Sequence, residues 1–265
     1  MPERPLAVIT GASSGIGAMF ARKLAARGYD LLLVARRTDR LRSLARELAE
    51  LYHIQAEPLE ADLINHDDLE RVAERVRTAP NLGLLVNNAG FGILGLFFEV
   101  DVRGQEEMHQ LHIIATLRLT HAALVNLVPR GTGGVINVAS VASFIQAPRS
   151  ISYSATKTWM ATFTEGMAME LASKKSPVKM QALCPGYTLS EFHDTLKMDR
   201  SGIPKSLWMT AEFVVDESLR GFDAGKLFVI PGWRYRLVVR LIKILPSSLL
   251  RKVGAIGARR RKRKE

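Results

Sequence analysis

What this 265-residue chain lacks narrows it first. It has one cysteine, Cys184, so it can form no intrachain disulfide and offers no thiolate framework for a metal. That poverty suits a reducing, cytoplasmic setting. No apolar run approaches the roughly 18 residues that a spanning helix needs. The opening MPERPLAVITG turns into a strand almost at once, without an apolar stretch behind a basic start, so no signal peptide is expected. Internal repeats are absent, and low complexity is confined to the final ARRRKRKE.

The chain also lacks net charge over most of its length. The total is +11, yet residues 1–226 hold 25 basic and 25 acidic residues, while 227–265 hold twelve Lys/Arg and a single acid. The excess sits wholly in the tail, a property that concerns partners rather than fold.

What is present is an alternation of short apolar strands and longer amphipathic helices, the pattern of a parallel sheet covered on both faces. Strands are predicted near 6–10, 30–35, 55–60, 83–87, 134–139, 178–183 and 226–230. Helices are predicted near 15–27, 38–52, 66–78, 104–128, 152–173 and 210–221. With right-handed crossovers this is an α/β, Rossmann-type, doubly wound parallel sheet of about seven strands, built as a single domain over 1–232. Residues 188–209 form an irregular excursion, long enough for a substrate lid, and 188–222 comprise that lid and the last helix of the domain. Residues 233–265 follow as a basic amphipathic extension.

The first strand, LAVIT, runs straight into Gly11-Ala12-Ser13-Ser14-Gly15-Ile16-Gly17 and then a helix. Glycines in such a turn let the backbone approach a pyrophosphate, whose charge sits at the helix N-terminus. The second strand ends in Arg36 and Arg37 with no acid at its tip. An acid there would hold the 2′-OH of NAD; an arginine fork instead pairs with a 2′-phosphate, so NADP(H) is the expected cofactor. The alternative is that the arginines merely open a solvated basic helix.

Thr10-Gly11-x-x-x-Gly15-x-Gly17 resembles the cofactor loop of the short-chain dehydrogenase/reductase family. Asn87-Asn88-Ala89-Gly90, the trio Ser140, Tyr153 and Lys157, and Pro185-Gly186 are similar to its other signatures, in the same order and across roughly residues 5–232. The resemblance implies a ketone–alcohol oxidoreductase. Tyr153 would donate the proton to the ketone oxygen, Lys157 would lower the tyrosine pKa and hold the ribose, and Ser140 would fix the carbonyl. It further implies that Asp62-Leu63 meet the adenine, though Asp62 could equally be a helix cap, that Asn88, Ala89 and Gly90 flank the cofactor, and that Thr188 holds the nicotinamide carboxamide, with Ser190 a second hydroxyl in reach. It also implies a homodimer or homotetramer.

One position departs from the family. His112 stands where an asparagine usually kinks the helix and holds a relay water. It could serve that relay or be a core histidine, and both readings stand at this point. His109 and His112 lie three apart, but no third ligand accompanies them, so no metal is expected. A non-catalytic nucleotide sensor or scaffold on the same fold is the rival reading, and intact Ser140, Tyr153 and Lys157 argue against it.

The lid carries Leu189, Phe192, Leu196, Met198, Ile203, Leu207, Trp208 and Met209, a lining suited to a hydrophobic, lipid-like ketone or alcohol such as a 3-oxoacyl chain or a steroid. In WRYRLVVRLIKIL, residues 233–245, the bases Arg236, Arg240 and Lys243 occupy one side and Leu237, Leu241, Ile244 and Leu245 another. Such a helix fits an anionic membrane surface, placing the protein peripherally on a membrane's inner face. Nucleic acid is not an expected partner, since neither a binding module nor a base-stacking platform is visible.

Overall fold

The computed structural model describes residues 4–192 and 203–245. Strand β1 (Leu6–Thr10) leads to α1 (Gly15–Ala26), β2 (Asp30–Ala35), α2 (Thr38–Tyr52), β3 (Ala56–Glu60), α3 (His66–Thr78) and β4 (Leu82–Asn87). The second half runs α4 (Val102–His109), a π-helical turn (Gln110–Ala115), α5 (Thr116–Arg130), β5 (Gly134–Val138), α6 (Ile151–Ser173) and β6 (Lys179–Leu183). Two short strands, β7 (Thr188–Leu189) and β8 (Met209–Thr210), bracket the lid. Helix α7 (Ala211–Asp223), strand β9 (Phe228–Val229) and helix α8 (Trp233–Ile244) complete the described chain.

The main sheet is seven-stranded in the order β3-β2-β1-β4-β5-β6-β9, parallel throughout. Because strand side chains alternate, Ala7, Ile9, Leu31 and Leu33 enter one core layer with Phe20, Leu24 and Leu41, while Val8, Leu32 and Val34 enter the other with Leu69, Val72 and Leu119. Each fully buried leucine or phenylalanine contributes about 1.5–3 kcal/mol over its exposed state. Strand order reverses between β1 and β4, which opens a crevice at their C-terminal ends where ligands of this architecture bind. Thr10 closes that reversal: its hydroxyl accepts the backbone N–H of Asn88 and Ala89 at 2.9 and 3.0 Å.

Three expectations need correction. The lid is not irregular throughout, because β7 pairs with β8 in parallel, Thr188 opposite Met209. Leu196 and Met198 lie outside the described residues. The apolar-run reading found no membrane-length segment, yet Val102–Arg130 folds as one helical rod long and apolar enough to cross a bilayer. Met108, His112, Leu119 and Leu127 on it are fully buried in the body, so its apolarity serves the core layer against the sheet. The tail helix forms as expected over Trp233–Ile244, but part of its basic side faces the body. Arg236 pairs with Glu217 at 3.1 Å, and the Lys243 ammonium lies over the rings of Phe144 and Phe228 at 5.3 and 5.6 Å.

Candidate active site

The glycine loop connects β1 to α1 under tight contact. A Cβ on Gly17 would stand 2.3 Å from the Gly11 carbonyl oxygen, so only glycine lets the helix start this close to the strand. The Asn88 side chain donates to the carbonyls of Thr10 at 2.9 Å and Gly11 at 3.3 Å. Asn88 therefore shapes the loop with its side chain instead of presenting it to a ligand.

At the loop tip, Arg37 donates to Ser13 Oγ at 3.0 and 3.1 Å and to Ser14 Oγ at 2.7 Å. Its third edge meets Glu191 at 2.7 Å, and Arg40 meets the same carboxylate at 2.6 Å. These arginines hold the Glu191 carboxyl down to about 2, Arg37 first. Arg36 instead pairs with Asp62 at 3.6 Å. Hydroxyls, backbone and guanidinium thus converge where a phosphorylated ribose would lie, and the cradle fits a dinucleotide. Glu191 and Arg40 were not legible as part of this cluster, since nothing in the sequence ties residue 191 to residue 37.

Asp62 accepts the N–H of Ile64 at 3.2 Å. It does not cap α3: Asn65 does, accepting from the N–H of Asp67 and Asp68. Leu63 turns its side chain into the core, packed with Leu69 and Val72, so a contact to adenine from it would be through backbone. Thr188 is buried and donates to the Gly186 carbonyl at 3.0 Å. A Cβ on Gly15 would meet Ser190 Cβ at 3.0 Å, so the start of the lid crosses the glycine loop.

Ser140 at the end of β5 and Tyr153 and Lys157 on α6 converge. The spacing of four puts both α6 side chains on one face, and the Lys157 ammonium lies 5.9 Å from the Tyr153 ring centre. Lys157 Nζ donates to the Val138 carbonyl at 2.8 Å. Burial pushes the Tyr153 hydroxyl up to about 12, and its hydrogen bond to Ser140 opposes that rise. Burial brings Lys157 down to about 7. The expected lowering of the tyrosine by Lys157 is therefore not what the protein alone produces: enclosure dominates both groups and favours their neutral forms. Cys184, fully buried with its thiol pushed up to about 12, is inert.

His112 occupies the π-helical turn and is fully buried. Its Nε2 accepts the Phe91 N–H at 3.2 Å, and its Nδ1–H donates to Thr156 Oγ1 at 2.9 Å, which in turn donates to the Tyr153 carbonyl at 2.9 Å. Burial holds the imidazole well below its usual range, with Lys157 and His109 adding to the effect. The acceptor nitrogen is committed to a backbone N–H, which does not release a proton, so of the two readings these bonds favour a core histidine that ties the Gly90 turn to the catalytic helix. The fit is close, since a Cβ on Gly90 would stand 2.6 Å from its Nε2.

Sequence reasoning missed two further supports. Asn87 donates to Asn137 Oδ1 at 2.8 Å and Thr120 Oγ1 at 3.1 Å, and Asn137 donates to Thr164 Oγ1 at 2.9 Å, a buried polar chain across β4, β5 and α6. Tyr235 of α8 packs its ring on Gly186, accepts the Tyr187 N–H at 3.0 Å and donates to the Leu207 carbonyl at 2.7 Å. The Pro185-Gly186 turn is thereby held through the tail helix. Around the cleft, the Phe192 ring lies 5.8 Å from Tyr153, and Tyr187 lies 5.4 Å from Trp208.

Comparison with known proteins agrees with this geometry. The sequence model of the short chain dehydrogenase family matches residues 5–201. A short-chain dehydrogenase from Sphingobium yanoikuyae, solved in complex with NADPH, superposes with a TM-score of 0.82 at 33% identity, covering 98% of this chain and 96% of that one. The bulky-bulky ketone specific alcohol dehydrogenase from Comamonas testosteroni gives 0.78 at 31% identity, covering 91% and 95%. The 3-oxoacyl-acyl-carrier-protein reductase of Aquifex aeolicus is 26% identical over 86% of this chain and 96% of its own length.

Proposed function

The chain belongs to the short-chain dehydrogenase family, an oxidoreductase acting on CH–OH and C=O groups with a nicotinamide cofactor, and we propose that it uses NADPH to reduce a hydrophobic, lipid-like ketone. The observation that carries this reading is the convergence of Ser140, Tyr153 and Lys157 at the C-terminal edge of the sheet, beside the arginine-lined glycine loop.

When bound, NADPH would supply the hydride for the carbonyl carbon. Ser13, Ser14 and Arg37 would hold its 2′-phosphate end, and Gly11 to Gly17 its pyrophosphate. The Tyr153 hydroxyl, protonated at neutral pH because burial raises it, is set to give its proton to the ketone oxygen. Ser140 steadies the same oxygen. As tyrosinate develops, Lys157 gains reason to carry its charge, and attraction between the two offsets the cost of burying each.

Phe192, Tyr187 and Trp208 beside the cleft support an apolar substrate such as a 3-oxoacyl chain or a steroid, as do the names of two relatives. Exposed Leu117, Val125 and Val128 along α5 support a homodimer or homotetramer, which sedimentation velocity measures. The deciding experiment follows NADPH oxidation over ketones of rising chain length, in wild type and Tyr153→Phe. Turnover should fall about a hundredfold to ten-thousandfold in the variant with NADPH binding retained. Wild-type turnover in Tyr153→Phe would refute the role of Tyr153 as proton donor; no oxidation with any ketone would refute the substrate class and revive a non-catalytic nucleotide sensor.

A further inference from the structure

Helix α8 presents two opposed faces. Tyr235 and Val239 are buried against the body. On the opposite side, at 3.6 residues per turn, lie Trp233, Leu237, Leu241 and Ile244, exposed by 60%, 49%, 52% and 80%. Four large apolar side chains in one line on a surface helix, with no described residue covering them, form a patch of the kind that marks an interaction site.

The charge around the patch says what it meets. Arg240 flanks it, and the Arg234 guanidinium lies 4.8 Å over the Trp233 ring. No acidic residue occurs from 233 to 245, and the twenty residues that follow carry eight Lys/Arg and one Glu. The body from 1 to 226 is balanced. A second copy of the chain would bring the same basic surface against itself. An acidic protein partner would match the charge but would not call for a tryptophan at the helix start beside a row of aliphatic chains, the arrangement that settles at the boundary between headgroups and acyl chains.

We propose that α8 docks the protein on an anionic lipid bilayer, with Trp233, Leu237, Leu241 and Ile244 entering the interface and Arg234, Arg240 and the basic run Arg259–Lys264 meeting the headgroups. Tyr235 of the same helix roofs the Gly186 turn and bonds Leu207 at the lid base, so the docked helix adjoins the cleft. A lipid-like ketone could then reach it without crossing water. Binding itself requires neither cofactor nor turnover, and its failure is separable from failure of the catalytic reading.

The test uses the full chain with vesicles of phosphatidylcholine, with and without phosphatidylserine, at low and high salt, read by co-sedimentation and by the emission shift of Trp233 against a Trp233→Phe control. The protein should bind phosphatidylserine vesicles well above the neutral ones, and salt should weaken binding. Each basic residue near such a surface strengthens partition about fivefold, so removing 259–265 should weaken it by tenfold or more. Leu237→Glu with Leu241→Glu should abolish binding while leaving the unfolding temperature and turnover of a water-soluble ketone unchanged, since both side chains point away from the body. Three results overturn the proposal: no binding to phosphatidylserine vesicles at low salt, equal binding to neutral vesicles, or full binding by the double variant. Self-association of the protein that the double variant abolishes, without vesicle binding, assigns the face to a second copy and overturns it too.

Discussion

Replacing His112 by leucine isolates what the departure from the family pattern does. The side chain is fully buried, with Nε2 accepting from Phe91 and Nδ1–H donating to Thr156. Leucine preserves bulk and removes both bonds. Stranding the Phe91 N–H costs about 1–3 kcal/mol, and loss of the bond to Thr156 adds about 0.5–1.5 kcal/mol. The sum, about 1.5–4.5 kcal/mol, lowers the unfolding temperature by roughly 3–18 °C for a domain of this size. Because Thr156 sits between Tyr153 and Lys157, kcat/KM should also fall, by about tenfold to a hundredfold.

The pH dependence supplies an independent check. An unfolded histidine protonates near 6.5, whereas this buried ring stays neutral to a lower pH. As pH falls through 6.5 the unfolded state gains a proton that the folded state refuses, so this residue removes about 1.4 kcal/mol of stability per pH unit. The leucine variant has no such loss, and the stability gap between the two proteins should narrow below about pH 6.5. His112→Asn, shorter but able to donate and accept, should recover part of the activity. Denaturant unfolding across pH, with kinetics alongside, measures all of this. A leucine variant that unfolds at the wild-type midpoint, or a gap that stays constant in acid, would refute the assignment of His112 as a tie.

Arg37→Ala should weaken NADPH binding roughly tenfold to a hundredfold by removing charge-assisted bonds, and Glu191→Gln should tighten it by freeing Arg37 and Arg40 of a competing carboxylate; NADH titrations should be unmoved in both. Lys157→Met should be inactive yet raise the unfolding temperature of the cofactor-free protein near neutral pH. The folded amine titrates at about 7 against 10.5 in the ordinary state, so stability is lost as pH falls from 10.5 to 7, and methionine removes that loss; a less stable variant at neutral pH contradicts the burial argument. Tyr235→Phe strips the bonds to Tyr187 and Leu207, and should lower the unfolding temperature and raise KM for ketone more than KM for NADPH; unchanged kinetics would remove Tyr235 from the cleft wall.

By itself the sequence determined the main strands and helices, the glycine loop and the two-sided tail helix, because each depends on short-range spacing: alternation in strands, four-residue steps on α8, a turn that only glycine allows. The trio Ser140, Tyr153 and Lys157 was legible through the resemblance to a family, with the four-residue step on α6 agreeing. Tertiary structure decided the rest, because it depends on which distant segments meet. Glu191 joins Arg37 and Arg40 across 154 and 151 residues. Tyr235 reads in sequence as one ring of an amphipathic surface, yet the fold lays it on Gly186. His112 was ambiguous between relay and packing, and its partners Phe91 and Thr156, 21 and 44 residues away, tie it into the core with two hydrogen bonds. The pKa values of Tyr153 and Lys157 follow the same rule. Their spacing suggested mutual activation, but enclosure by the whole core acts on both charges more strongly than either acts on the other.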